Sequence, residues 1–188
     1  GLAPNKQEAR RITEKALEAV GLRPEEVLGK YPHHLSGGQR QRLMVARAFL
    51  LKPRLIVADE PVSMIDASLR GIVLDIMLQL KKEFGISFIY ITHDLSTAYQ
   101  ISDYIYILYR GSIAEEGNIQ QVIDDPKHPY TRLLLSSVPQ PDPKVTWGDR
   151  LAFPVAEETA YGVKGCKFAD RCPYIHEPCR IRTPALYQ

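Results

Sequence analysis

The sequence is poor in several features, and each shortage argues against a class of protein. Its 188 residues contain 24 Lys and Arg against 22 Asp and Glu, so neither sign of charge dominates. This balance argues against a strongly basic nucleic-acid-binding protein. With 45% apolar and 24% charged residues, the composition is that of an ordinary globular chain rather than a disordered one. No apolar run approaches the roughly 18–20 residues that a membrane-spanning helix needs.

Cysteine is also scarce, and the three cysteines, Cys166, Cys172 and Cys179, all lie near the C-terminus. An odd, clustered set suits a ligand site or reduced thiols better than a disulfide framework, and it favours a reducing, cytosolic compartment. Three thiolates so close in sequence could hold an iron–sulfur cluster. Because His176 lies between the last two cysteines, a zinc site with three Cys and one His is an alternative. Three reduced, partly buried thiols are the third interpretation.

The periodicity of apolar residues predicts an α/β fold with a parallel sheet, because strands and helices alternate along the chain. The strand at 55–58 is a continuous apolar run and is predicted to be buried. Helices are predicted at 5–20, 39–51, 67–83, 95–101 and 129–137, strands at 55–58 and 86–92, and a hairpin at 104–115.

Prolines become frequent from about residue 124, and we place a domain boundary near 139–145. The predicted organisation is therefore a helical subdomain at 1–52, the remainder of an α/β core at 53–138, and a loop-rich, cysteine-containing tail at 139–188.

A glycine-containing motif, Ser36, Gly37, Gly38 and Gln39, precedes the second predicted helix. Serine is a good N-cap, and glycines let a backbone approach a ligand closely. The unpaired N–H groups and positive dipole end of a following helix favour phosphate. A capped helix after a flexible loop is the alternative interpretation of this motif.

Acidic and imidazole side chains follow the two predicted core strands. Asp59 and Glu60 end the first strand, at the edge where open α/β sheets bind ligands. One carboxylate could hold Mg²⁺ and the other could orient or deprotonate an attacking water. His93 ends the next strand and could contact a terminal phosphate at the same edge, whereas Asp66 precedes a helix and could be its N-cap. Each of these residues also has a purely structural interpretation when taken alone.

Together these segments resemble ABC-type ATPases. The motifs are LSGGQRQR at 35–42, LIVADEP at 55–61, SMID at 63–66 and ITHD at 91–94. In that family they are the signature motif, the Walker B strand, the D-loop and the switch histidine.

The resemblance implies a role for each motif residue. It implies Asp59 on the Mg²⁺ of ATP, Glu60 as the base for water and His93 on the γ-phosphate. It also implies that Ser36 to Gln39 contact ATP held by the opposite subunit of a head-to-tail dimer, with Asp66 at the dimer interface.

A second resemblance narrows the subfamily. The segment DPKHPYTRLLLSSVPQPDP at 125–143, with the tail motif around Cys166, Cys172 and Cys179, is similar to ATP-binding subunits of oligopeptide/dipeptide importers. It implies a peripheral subunit on the cytoplasmic membrane face that pairs with a second ATPase subunit, docks on a transmembrane permease and depends indirectly on an extracytoplasmic substrate-binding protein. It also implies a [4Fe–4S] cluster in some members, although the fourth cysteine is missing here. Nickel or oligosaccharide importers have related subunits, so the solute stays open.

One family feature is missing from the sequence, since no Gly-x-x-x-x-Gly-Lys-Ser/Thr phosphate loop occurs in it. The resemblance therefore implies the C-terminal portion of a longer subunit, built on a partial P-loop NTPase core and inactive as an ATPase when isolated. Two alternatives stay open, namely an inactive fragment that acts as a binding or regulatory module and a non-transport ABC protein.

Overall fold

The first half of the chain is built from helices with clear stop and start signals. A computed structural model describes residues 3–63, 65–138 and 164–184 and divides the chain into two compact units, 1–101 and 102–188. The elements of the first unit are helices α1 (Lys6–Ala19), α2 (Pro24–Val27), α3 (Gly37–Phe49), α4 (Ala67–Phe84) and α5 (Leu95–Ile101), strands β1 (Leu55–Asp59) and β2 (Ser87–Ile91), and a 3₁₀ helix at Pro32–His34.

Capping residues mark the ends of the long helices. The Asn5 side chain caps α1 by accepting from the amide of Glu8 at 2.9 Å. Ser36 and Gln39 form a reciprocal capping box at the start of α3, with side chain to backbone distances of 3.2 and 3.0 Å. Gly85 ends α4 in the left-handed conformation, at a φ of 65° that glycine adopts without steric cost.

The core of the first unit lies along α4. Two clusters of buried apolar residues share this helix. The first packs α4 against α1, α3 and the segment between them, and the second packs α4 against the segment after β1 and the end of α5. The buried members of the two clusters are Leu17, Val20, Leu22, Val27, Leu35, Ala46, Ile76, Leu80 and Ile86, and then Val62, Ile65, Val73, Leu74, Met77 and Ile101.

Strands β1 and β2 pair in parallel, with Leu55 opposite Ser87 and Asp59 opposite Ile91. Ile56, Ala58 and Phe88 pack against the α4 core. The alternate residues are exposed, and Val57 is 61% exposed. The prediction of a buried strand is therefore wrong for one face of β1, because the described elements cover the sheet on its α4 side while the other face stays open.

The second unit begins with an antiparallel hairpin of β3 (Tyr104–Tyr109) and β4 (Ser112–Asn118). Arg110 and Gly111 have φ of 47° and 72°, the conformation of the tight turns that match strand twist. Helices α6 (Ile119–Asp124) and α7 (Pro129–Ser136) follow, and the described part of the tail adds a 3₁₀ helix at Ala169–Arg171 and helix α8 (Glu177–Ile181).

The predicted segment boundaries near 52 and 139 stay predictions, and residues 139–163 lie outside the described part of the chain. Within the described ranges, no helix combines the length and the apolar character needed to cross a bilayer.

Candidate active site

The carboxylate and the imidazole predicted at the sheet edge lie in direct contact. Because β1 and β2 run parallel and in register, the residues that follow both strands emerge at the same edge. His93 Nδ1 lies 2.6 Å from Oε1 of Glu60. Asp59 is the last residue of β1 and is exposed. The structure thus brings together Glu60 and His93 and places the Asp59 carboxylate next to them in the chain.

Glu60 occupies an unusual backbone conformation. Its φ of 47° lies in the left-handed region, which costs a non-glycine residue about 1–3 kcal/mol. A tight turn holds it there, since its amide donates to the Ile91 carbonyl at 2.9 Å and its own carbonyl accepts from the amide and hydroxyl of Ser63 at 3.3 and 3.0 Å. Backbone strain of this kind clusters at functional sites, and here the strained residue is the one that contacts His93.

The pair is open to an incoming ligand. The His93 side chain is 81% exposed and that of Glu60 is 35% exposed. A carboxylate only accepts hydrogen bonds, so His93 donates from Nδ1 and its Nε2 atom is left for a ligand. In the protonated ring both nitrogens donate, and His93 can then bond Glu60 and a phosphate oxygen at the same time.

The signature residues form a second cluster at the start of α3. Ser36 is exposed and Gly38 is buried. A Cβ atom at Gly38 would lie 2.9 Å from Cδ1 of Leu69, so the glycine lets α3 approach the first turn of α4 closely. Arg42 fixes α3 from the other side, since its Nη1 donates to the Gly21 carbonyl at 2.8 Å.

Asp66 occupies the N-cap position of α4, as one interpretation of the sequence predicts. Within the described chain its carboxylate makes no capping hydrogen bond, and the residue is exposed. Because Leu69 in the following turn lies against Gly38, the structure places the first turn of α4, directly after Asp66, next to the start of the signature helix.

A backbone hydrogen bond joins the first and last cysteines of the tail. The Cys166 amide donates to the Cys179 carbonyl at 2.8 Å, and Sγ of Cys179 lies 3.3 Å from Nδ1 of His176. Burial raises the pKa of the Cys172 thiol, and the charges of the other two cysteines add to this effect. Within the described ranges, however, no three His, Cys, Asp or Glu side chains converge to hold a metal ion. The described residues therefore give no support to the predicted cluster or to the zinc alternative.

Two sets of residues that the sequence reasoning did not single out serve the fold around these motifs. Arg70 lies between the D-loop and the switch loop, 3.6 Å from Asp94. In the second unit, Glu115 accepts from the amides of Lys127 and His128 at 2.8 and 3.0 Å, and Phe168 is 2% exposed. Sequence spacing carries no signal for these contacts, because each joins residues from separate elements.

The chain matches two protein-family models and is similar in sequence to known proteins. Residues 2–63 match the family model described as ABC transporter, and residues 114–179 match the one described as oligopeptide/dipeptide transporter, C-terminal region. The chain is 41% identical over 177 residues to the dipeptide transport ATP-binding protein DppF of Haemophilus influenzae, covering 92% of this chain and 52% of that protein. It is 39% identical over 184 residues to the oligopeptide transport ATP-binding protein OppF of Escherichia coli K12, covering 97% and 55%. The chain belongs to the ABC transporter ATP-binding family.

Solved ABC cassettes share the fold of this ABC chain. The ADP conformation of MJ1267, an ATP-binding cassette of an ABC transporter, matches with a TM-score of 0.60 and 30% identity, over 69% of this chain and 52% of that one. The dimeric post-hydrolysis state of the cassette MJ0796, bound to ADP and Pi, matches with a TM-score of 0.56 and 29% identity, over 62% and 50%. The ABC chain thus spans about half the length of the relatives that it matches.

Proposed function

We propose that this chain is part of an ATP-hydrolysing subunit that powers peptide import across the cytoplasmic membrane. The observation that carries the proposal is the contact between Glu60 and His93 at the end of two parallel strands, in a chain that also bears a capped signature helix. The relatives named for dipeptide and oligopeptide transport support the solute class. The match at 114–179 disfavours a non-transport ABC protein.

Each motif residue has a role in this proposal that suits its chemistry. The exposed Asp59 carboxylate would hold Mg²⁺, a cation that prefers oxygen ligands and neutralises charge on the phosphates. Glu60 accepts a proton from the attacking water, and its contact with His93 fixes the direction in which the carboxylate points. His93 presents Nε2 to the terminal phosphate.

The signature residues act on a second nucleotide. Ser36 to Gln39 place the first amides of α3 toward a phosphate bound by a partner ATPase subunit, and Asp66 lies at that interface. The exposure of Ser36 and Asp66 supports this role, as does the dimeric form of the cassette MJ0796. Further partners are a transmembrane permease and, indirectly, a substrate-binding protein. No step is assigned to the cysteine tail.

The phosphate loop must come from outside these 188 residues. The open face of the β1–β2 sheet supports this, because parallel sheets are normally covered on both faces and Leu55, Val57, Ile89 and Ile91 are each about half exposed or more. We therefore expect the isolated chain to hydrolyse ATP no faster than its Glu60→Gln variant. Robust turnover that depends on Glu60 would show that no external phosphate loop is needed.

Peptide uptake tests the proposal as a whole. The native transporter that contains this chain is reconstituted into proteoliposomes, and ATP-dependent uptake of a labelled di- or oligopeptide is measured. Glu60→Gln should abolish uptake, while Glu83→Gln, a change on exposed α4 surface, should leave it intact. Uptake that survives Glu60→Gln contradicts the catalytic assignment. A transporter that hydrolyses ATP through Glu60 but moves no peptide would instead change the solute class.

A further inference from the structure

Arg70 occupies a position between two loops that carry motif residues. It lies in the first turn of α4, and its side chain is 39% exposed. Its Nε donates to the carbonyl of Ile65 at 3.3 Å, and its Nη1 lies 3.6 Å from Oδ2 of Asp94. Ile65 directly precedes Asp66, and Asp94 directly follows His93. A single guanidinium group therefore connects the D-loop to the switch loop.

The switch-loop end of this connection is itself held in place. Oδ1 of Asp94 accepts from the amides of Ser96 and Thr97 at 2.9 and 3.4 Å, and the Asp94 amide donates to the Thr92 hydroxyl at 3.0 Å. Oδ2 is the oxygen that faces Arg70. His93 thus lies between two residues whose positions are fixed, and its ring contacts Glu60.

The D-loop end meets the signature motif. Leu69, the neighbour of Arg70 in the first turn of α4, contacts the Gly38 position at the start of α3. The first turn of α4 is therefore in contact with the signature helix, the D-loop backbone and the switch loop. A displacement of one of these segments would be passed to the others through Leu69 and Arg70.

We propose that Arg70 is a positioning residue that couples the D-loop around Asp66 to His93 and so holds the Glu60–His93 pair in its reactive geometry. The inference rests on the proposed ATPase function for its kinetic consequence, but its structural part stands on the contacts alone. A partly exposed ion pair adds little to stability, so its use here is geometric. The planar guanidinium supplies two donors in a fixed fork, which a lysine ammonium cannot reproduce.

The first arm of the test is structural and uses the 188-residue chain. Arg70→Met and Arg70→Lys should each shift the ring resonances of His93 in isotopically labelled protein, with the signal assigned by His93→Gln. Arg10→Met is the matched control, because Arg10 is an exposed arginine whose partner, Glu14, lies on the same helix. The His93 resonances should stay in place in the control. Unmoved His93 resonances in both Arg70 variants overturn the proposal.

The second arm is kinetic and uses the native transporter. Arg70→Lys should lower kcat for ATP about tenfold and leave KM within about twofold, because misplacement of catalytic groups reduces the rate of the chemical step. Asp94→Asn should act in the same direction, and the Arg70→Lys/Asp94→Asn double variant should be no slower than the slower single variant. Arg10→Met should keep wild-type kcat. Additive effects of the two changes, or a large drop in Tm for Arg70→Lys, would indicate a merely structural role and overturn the coupling.

The two arms separate the two claims. If the transporter shows no ATPase activity that depends on Glu60, the proposed function fails, while the resonances of His93 still decide whether Arg70 positions it.

Discussion

The two units of the chain use their motif residues in opposite ways. In the first unit the motif side chains face solvent, as His93 does with 81% of its side chain exposed. In the second unit the motif residue His128 is half-buried and accepts from the Tyr130 amide at 3.1 Å, while Glu115, outside the motif, accepts from the amides of Lys127 and His128. The difference shows that two equally recognisable sequence motifs can differ in purpose, one directed at a ligand and the other at holding the fold.

The centre of the second unit is the ring of Phe168. The rings of Tyr109, His128 and Tyr130 lie 5.2, 5.7 and 5.6 Å from it, centroid to centroid. Nearby, Lys167 Nζ donates to the Arg110 carbonyl in the hairpin turn at 2.7 Å. The histidine and tyrosine of the segment at 128–130 thus help to attach the cysteine-bearing tail to the hairpin.

The largest expected effect is a loss of stability where the cysteine-bearing tail packs on the hairpin. Phe168→Ala should lower the free energy of unfolding of the second unit by about 3–5 kcal/mol, because it removes a buried ring and leaves a cavity. Tyr174→Ala, in the same tail but at a residue 59% exposed, is the matched control and should cost much less. Denaturant unfolding of both variants measures the difference. Equal losses would mean that the tail does not depend on Phe168.

The second largest effect is expected on catalysis, and it tests whether the exposed motif side chains of the first unit act on a ligand. His93→Ala should reduce kcat of the native transporter by about 10²–10³-fold, because it removes a donor that faces the developing charge. Its Tm should change little, since the side chain is mostly exposed. Gln100→Ala, an exposed change on α5, serves as the control for both measurements. A large loss of stability in His93→Ala would end the contrast between the two units.

Much of the first unit could be predicted, because its signals are local. The helix at 67–83 was expected from periodicity and from Gly85, and the structure has it at Ala67–Phe84. Likewise, two parallel strands that each end in a polar motif predict that Glu60 and His93 lie at the same sheet edge, although their direct contact was not predicted. The short helices α2, α6 and α8 were not predicted, because fewer than two turns leave too few residues for a period to show.

The contacts that organise the site and the tail could not be predicted. Arg70 and Asp94, or Glu115 and His128, are joined by the path of the chain in space, and nothing in their spacing marks them. The exposure of one face of β1 was not predicted either. A run of apolar residues indicates that a strand can be buried, but it does not indicate which elements cover it.

A smaller effect concerns the loop before α7. Glu115→Gln should cost about 1–3 kcal/mol of the stability of the second unit, because a carboxylate that accepts two amides is replaced by a group with one accepting atom. Glu116→Gln, the adjacent residue on β4, is the control. ATPase activity per folded transporter should be the same in both variants. An effect of Glu115→Gln on kcat without a loss of stability would give this residue a role that its contacts do not indicate.

The smallest effect is a pH dependence in the second unit. Burial lowers the pKa of His128, and the nearby Glu115 carboxylate opposes this without cancelling it. The neutral ring is therefore favoured in the folded state, as its Nδ1 must be unprotonated to accept from the Tyr130 amide. Its contribution to stability is complete above the ordinary value near 6.5 and is lost as the pH falls below that value toward the lower folded pKa. Urea unfolding at pH 7.5 and 5.5 should show a loss on acidification that is smaller in His128→Asn, whose amide oxygen can keep the cap but does not titrate. If both proteins respond equally to pH, the imidazole is not held neutral, and the inward-facing character assigned to this motif residue is wrong.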